Sequence, residues 1–170
     1  MLFVTTIFSP SPDSHRYSEA IDLLYSTNQF VVTHADIIEF MPRLLLPQRI
    51  NAIQSLYFDW RIRGSPPCHI THSSPNEDDD LKSRTWTTIW KNLAGMEGLR
   101  ELYVDLYVDH TQWDIIRTPD TSSLVKPIMA VTAPRYFELR LPFTCRLDKE
   151  LWEGLPCQIK WIRPRGQRAW

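Results

Sequence analysis

Over residues 17–27 the apolar side chains fall at Tyr17, Ala20, Ile21, Leu24 and Tyr25. That spacing places them along one face of a helix. Asn28 stands where the helix should close, a position Asn tolerates well. "QFVVT" follows directly and reads as a strand, being rich in β-branched and aromatic residues. The next stretch, "ADIIEFMPRLLLPQRINAI", contains Pro42 and Pro47. A proline inside a helix removes a donor and crowds the preceding turn. Two short helices are therefore expected, one ending at about Met41 and one opened by Pro47. "IQSLYFDW" is a strand. "SRTWTTIWKNLAGMEG" carries Trp86, Ile89, Trp90 and Leu93 at i, i+3, i+4 and i+7, with Ser83 as cap and Gly95 as terminator. Beyond it come a strand "LRELYVDLYV", a helix "SSLVKPIMAVTA", a strand "YFELRLPF", a short helix "DKELWEGL" and a strand "CQIKWI". Strands alternate with helices, which predicts parallel pairing through right-handed crossovers.

A weaker period runs through the strands. The pattern L-x-x-L-x-L of leucine-rich repeats is matched by Ile53, Leu56 and Phe58, by Leu99, Leu102 and Val104, and by Tyr136, Leu139 and Leu141. Phe30 with Val32, and Ile159 with Trp161, match it in part. The expected fold class is α/β: a short, irregular leucine-rich-repeat-like parallel sheet of about five strands backed by helices. An ordinary open α/β sheet is the alternative. Alternation along each strand turns Val31, Thr33, Tyr57, Asp59, Tyr103, Asp105, Tyr107, Glu138, Arg140 and Lys160 to the side away from the apolar set. Alignment on the repeat pattern puts Tyr57, Tyr103, Arg140 and Lys160 in one row and Asp59 with Asp105 in the next.

Composition narrows the class of function. The chain has 170 residues, 43% hydrophobic and 23% charged, with a formal net charge of −1. That is enough chain for one domain with a core, and too little positive charge for a protein that relies on phosphate contacts. No nucleic acid is expected as partner. The seven tryptophans are expected in the core. Cys68, Cys145 and Cys157 are odd in number and widely spaced, and no Asn-x-Ser/Thr acceptor occurs. Both features point to an intracellular setting, cytoplasmic or nuclear. No segment is apolar for long enough to cross a membrane. The chain divides into a loose leader (1–16), a domain (17–162) with an insertion loop at 61–82, and a basic tail (163–170) holding Arg163, Arg165 and Arg168.

Candidate chemistry is sparse. Cys68, His69 and His72 cluster, but a metal site needs about four ligands at fixed geometry. The run "NEDDD" lacks the spaced ligands and turn glycine of a calcium loop. With five glycines, no phosphate-cradling motif occurs. No cofactor is expected. Tyr57, Asp59, Tyr103, Asp105 and Arg140 remain as the residues on which to place a function. Tyrosine and arginine are enriched at interaction hot spots, so the expectation is a protein-interaction module, monomeric, with a protein partner. The alternative is a metal-assisted hydrolase or nuclease that uses Asp59 and Asp105 as paired carboxylates.

Four segments in this order, "LLYSTNQF", "LLPQRINAIQSL", "LAGMEGLREL" and "APRYFELRLPF", closely resemble a domain of unknown function common in filamentous ascomycete fungi. The resemblance covers about residues 17–143. It implies no activity, since that family has none established. Its members often begin with an F-box-like leader, similar to "LPxEIRxxIY". Here "MLFVTTIFSPSPDSHR" stands in that place. The resemblance thus implies an F-box-associated-like interaction role, while docking to a ubiquitin-ligase adaptor through such a leader is not expected of this chain.

Overall fold

The computed structural model describes residues 2–3, 14–62, 77–108, 122–142 and 154–162. In chain order the elements are β1 (Leu2–Phe3), α1 (Ser14–Thr27), β2 (Gln29–Val32), α2 (Ala35–Leu44), α3 (Pro47–Ala52), β3 (Ser55–Ile62), α4 (Glu77–Ala94), β4 (Glu101–Val108), α5 (Ser122–Met129), β5 (Tyr136–Pro142) and β6 (Gln158–Ile162). The fold is α/β. Strands β2 to β6 form a parallel sheet in sequential order. The segment expected as a loose leader contributes β1, which pairs antiparallel with β2. α1 begins at Ser14 and α4 at Glu77, so both helices start earlier than expected. β3 takes residues 61 and 62 and α4 takes 77–82, which shortens the expected insertion loop from both ends. The expected helix "DKELWEGL" lies mostly outside the described residues.

Sequential order has a consequence for layering. When every crossover moves one strand in the same direction with the same hand, every helix lands on the same side of the sheet. The burial pattern agrees. Phe30, Val32, Leu56, Phe58, Leu102, Val104, Phe137, Leu139 and Leu141 share one core cluster with Ile38 and Met41 of α2, with Trp86, Ile89, Trp90 and Leu93 of α4, and with Ile128 of α5. At the centre is an aromatic stack. Trp60 lies 4.8 Å from Trp86 and 6.4 Å from Trp90, which in turn lies 6.1 Å from Phe137. The expectation of core tryptophans holds for these three, whereas Trp161 on β6 is 41% exposed.

Two tight features set the helix layer. α2 does not end at Met41 but runs through Pro42 to Leu44. Proline at 42 has no N–H for the carbonyl of Ile38, four residues back. Asn92 of α4 supplies the missing donor: its Nδ2 donates to Ile38 O at 2.9 Å and to Glu39 O at 3.0 Å. A single proline therefore does not break the helix, because the neighbouring helix satisfies the carbonyl it orphans. The second feature is Gly98, in the turn between α4 and β4. A Cβ at Gly98 would fall on the carbonyl oxygen of Asn51. This close approach brings the turn before β4 against the turn before β3, where the N–H groups of Arg100 and Glu101 donate to Gln54 O at 2.8 and 2.9 Å. An ion pair between Arg49 of α3 and Asp22 of α1 ties the outer helices together.

Candidate functional site

The other side of the sheet receives no core residue from any described helix. The alternating positions on it are Ser55, Tyr57, Asp59 and Arg61 of β3, Glu101, Tyr103, Asp105 and Tyr107 of β4, Tyr136, Glu138 and Arg140 of β5, and Gln158 and Lys160 of β6. The five residues singled out from sequence, Tyr57, Asp59, Tyr103, Asp105 and Arg140, all lie here on neighbouring strands.

Their rows differ from those expected. Tyr57 pairs with Tyr103 and Asp59 with Asp105, as the repeat alignment implied. On β5, however, Tyr103 pairs with Glu138 and Asp105 with Arg140. Arg140 and Lys160 therefore continue the aspartate row, not the tyrosine row. The repeat template placed Leu139 opposite Leu102, but Phe137 occupies that position. The short connection before β5 sets the register, with Tyr136 N donating to Arg100 O at 3.0 Å. The correction makes electrostatic sense. Like charges directly opposite on adjacent strands destabilise a sheet, and opposite charges stabilise it. Asp59 beside Asp105 is followed by two cations in the same row.

Three carboxylates are buried on this face, which no described helix covers: Asp59, Asp105 and Glu138, at 9%, 3% and 1% exposure. Their own neighbours bury them. The Tyr136 hydroxyl donates to Glu138 Oε2 at 2.5 Å, and Lys160 Nζ meets the same oxygen at 2.5 Å. Arg140 Nε donates to Glu138 Oε1 at 2.5 Å. Burial alone would raise the Glu138 carboxyl. The hydrogen bonds from Lys160, Tyr136 and Arg140 outweigh it and hold the group down at about 2. The hydrogen bond to Glu138 pushes Lys160 and Arg140 up in turn. The Tyr57 hydroxyl donates to Asp105 Oδ2 at 2.5 Å. Burial, and then that bond, push the Tyr57 phenol well above its usual value, so it stays protonated. The Arg140 guanidinium lies 5.9 Å over each of the Tyr57 and Tyr103 rings, and Arg61 lies 6.0 Å over Tyr107. Tyr103 and Tyr136 pack at 5.3 Å.

Glu138, Tyr136 and Lys160 complete a network that residue-type reasoning had not assembled. The signal that would have found it is the i, i+2 spacing of Tyr136, Glu138 and Arg140 on one strand. The clustered Cys68, His69 and His72 lie outside the described residues. Among the described residues, no group of three or more His, Cys, Asp or Glu is placed to hold a metal ion, and no helix is long and apolar enough to cross a membrane.

Among the described residues, helices cover one face of the parallel sheet and none covers the other, which makes the chain an α/β protein. The chain belongs to the family described as Domain of unknown function (DUF7730), whose family model matches residues 14–160. No curated protein and no solved structure matches the chain.

Proposed function

We propose that the chain is a protein-interaction module that binds a partner through the open face of its sheet. The observation that carries this reading is the polar network itself: an ordered tyrosine, carboxylate and arginine surface on a face that no described helix covers. Large, rigid tyrosines and an arginine held between them give contact area at low entropic cost. The sequential order of the parallel strands supports the same reading, since described helices on one side leave a broad face for a ligand. The test is affinity capture with quantitative mass spectrometry, using the wild type, Tyr57→Ala/Tyr103→Ala, and Lys91→Ala on the exposed side of α4. The reading expects proteins enriched by the wild type to be retained by Lys91→Ala and lost by the tyrosine variant. An identical set from all three sinks it.

Metal-assisted hydrolysis is the second reading. One observation favours it: Asp59 and Asp105 are register partners on adjacent strands, the arrangement that paired carboxylates require. Hydrolysis of ester or nucleic-acid substrates with Mg²⁺ or Mn²⁺, abolished in Asp59→Ala, would support it. Activity equal to that of the variant removes it.

A further inference from the structure

Counting the described residues, this face of the sheet is short of cationic hydrogen-bond donors at its acidic centre. Among the described residues it carries four acids, Asp59, Glu101, Asp105 and Glu138, and three cations, Arg61, Arg140 and Lys160. Two of the three cations make their closest contact with Glu138. Arg140 Nη1 reaches Asp105 Oδ1 only at 3.5 Å, and Arg61 Nε reaches Asp59 Oδ1 only at 3.6 Å. Among the described residues neither Oδ1 has a hydrogen-bond partner, although both atoms are buried and the Asp105 side chain is 4% exposed. A buried charged acceptor without a donor is costly, and a donor that closes it gains more than an ordinary surface contact.

We propose that Asp59 and Asp105 accept the guanidinium of an arginine presented by a partner protein. The inference rests on the interaction reading and names the chemistry of its partner. Two observations select arginine. Asp59 and Asp105 are register partners on adjacent strands, whose backbones lie about 4.8 Å apart, and a planar fork of donors serves two neighbouring carboxylates better than a single ammonium. The face already packs guanidinium groups on tyrosine rings, Arg140 on Tyr57 and Tyr103, and Arg61 on Tyr107. Arg61, which pairs with Asp59 at 3.6 Å, has a side chain that is 66% exposed. Its displacement into water frees Asp59 and leaves the Glu138 network intact.

The experiment is an NMR titration of the full chain, observing the aspartate carboxyl carbons and the tyrosine rings. The probes are N-acetyl-arginine methylamide, its neutral isostere N-acetyl-citrulline methylamide, and the lysine analogue. The proposal expects saturable shifts at Asp59, Asp105 and Tyr57 with arginine, and binding at least about ten-fold weaker with citrulline. Asp59→Asn/Asp105→Asn should abolish the shifts and Glu101→Gln should leave them unchanged. If the double variant does not fold, the arginine–citrulline difference in the wild type decides alone. No shift, an equal response to citrulline or lysine, or the same resonances moving first with Mg²⁺ or Mn²⁺ would each overturn the proposal. So would shifts seen only after removal of residues 163–170, since the chain's own arginines would then be the occupant. Loss of captured partners in the tyrosine variant without any arginine response would leave the interaction reading standing and this inference refuted.

Discussion

The two faces of the sheet bury side chains by different means. On the helix side, burial comes from a second layer: Trp90 of α4 is fully buried between its helix and the sheet, against Trp60 and Phe137 and beside Trp86 of the same helix. On the open side there is no described second layer, yet Glu138 is 1% exposed. Tyr136, Arg140 and Lys160 fold over it. One face excludes water by packing apolar volume. The other excludes it by closing a hydrogen-bonded network over charge. The first is tolerant of pH and sensitive to volume, and the second is the reverse.

Substitutions can separate these two modes. Trp90→Ala should have the largest effect, a loss of about 3–5 kcal/mol in chemical denaturation, because it opens a cavity between sheet and helices. Asn92→Ala should cost about 1–3 kcal/mol by leaving the Ile38 carbonyl unsatisfied beside Pro42. A loss near zero would mean that the helix layer tolerates the proline by other means. Glu138→Gln should cost about 1–2 kcal/mol at neutral pH, since the amide cannot serve three donors as a carboxylate does and the two cations remain partly solvated. Its cost should depend on pH. The folded Glu138 carboxyl lies below its unfolded value of about 4.3, so its contribution is present above that pH. It is lost as pH falls through about 2. The stability gap between wild type and Glu138→Gln should therefore narrow across that window, whereas the gap for Trp90→Ala should not. Tyr103→Ala should have the smallest effect, about 1 kcal/mol or less, through lost packing on Tyr136 and Arg140. A larger loss would make the open face a structural core and not a binding surface.

Much of this contrast was legible in the sequence. Alternation along β3 and β4 sorted Tyr57, Asp59, Tyr103 and Asp105 onto the face away from Leu56, Phe58, Leu102 and Val104, because side-chain direction in a strand follows from parity alone. Parity does not fix register. Arg140 was placed on the right face and in the wrong row, since the connection before β5 decides which residue lies opposite Tyr103. The Pro42 boundary failed for a related reason. The rule that proline ends a helix describes the helix alone, and the donor that rescues Ile38 O comes from Asn92, far along the chain. Burial of Glu138 was illegible because it depends on β6 bringing Lys160 alongside β5. The pattern of residues gave the sides of the sheet, and the long-range pairing gave the network.

The carboxyl carbon of Glu138, followed by NMR as pH is lowered, tests the open face most directly. The hydrogen-bonded network predicts a midpoint at about 2. A midpoint near the usual carboxylate value, about 4.3, would show that Tyr136, Arg140 and Lys160 do not hold the carboxylate in solution. The account of a built polar surface on this face would then be wrong.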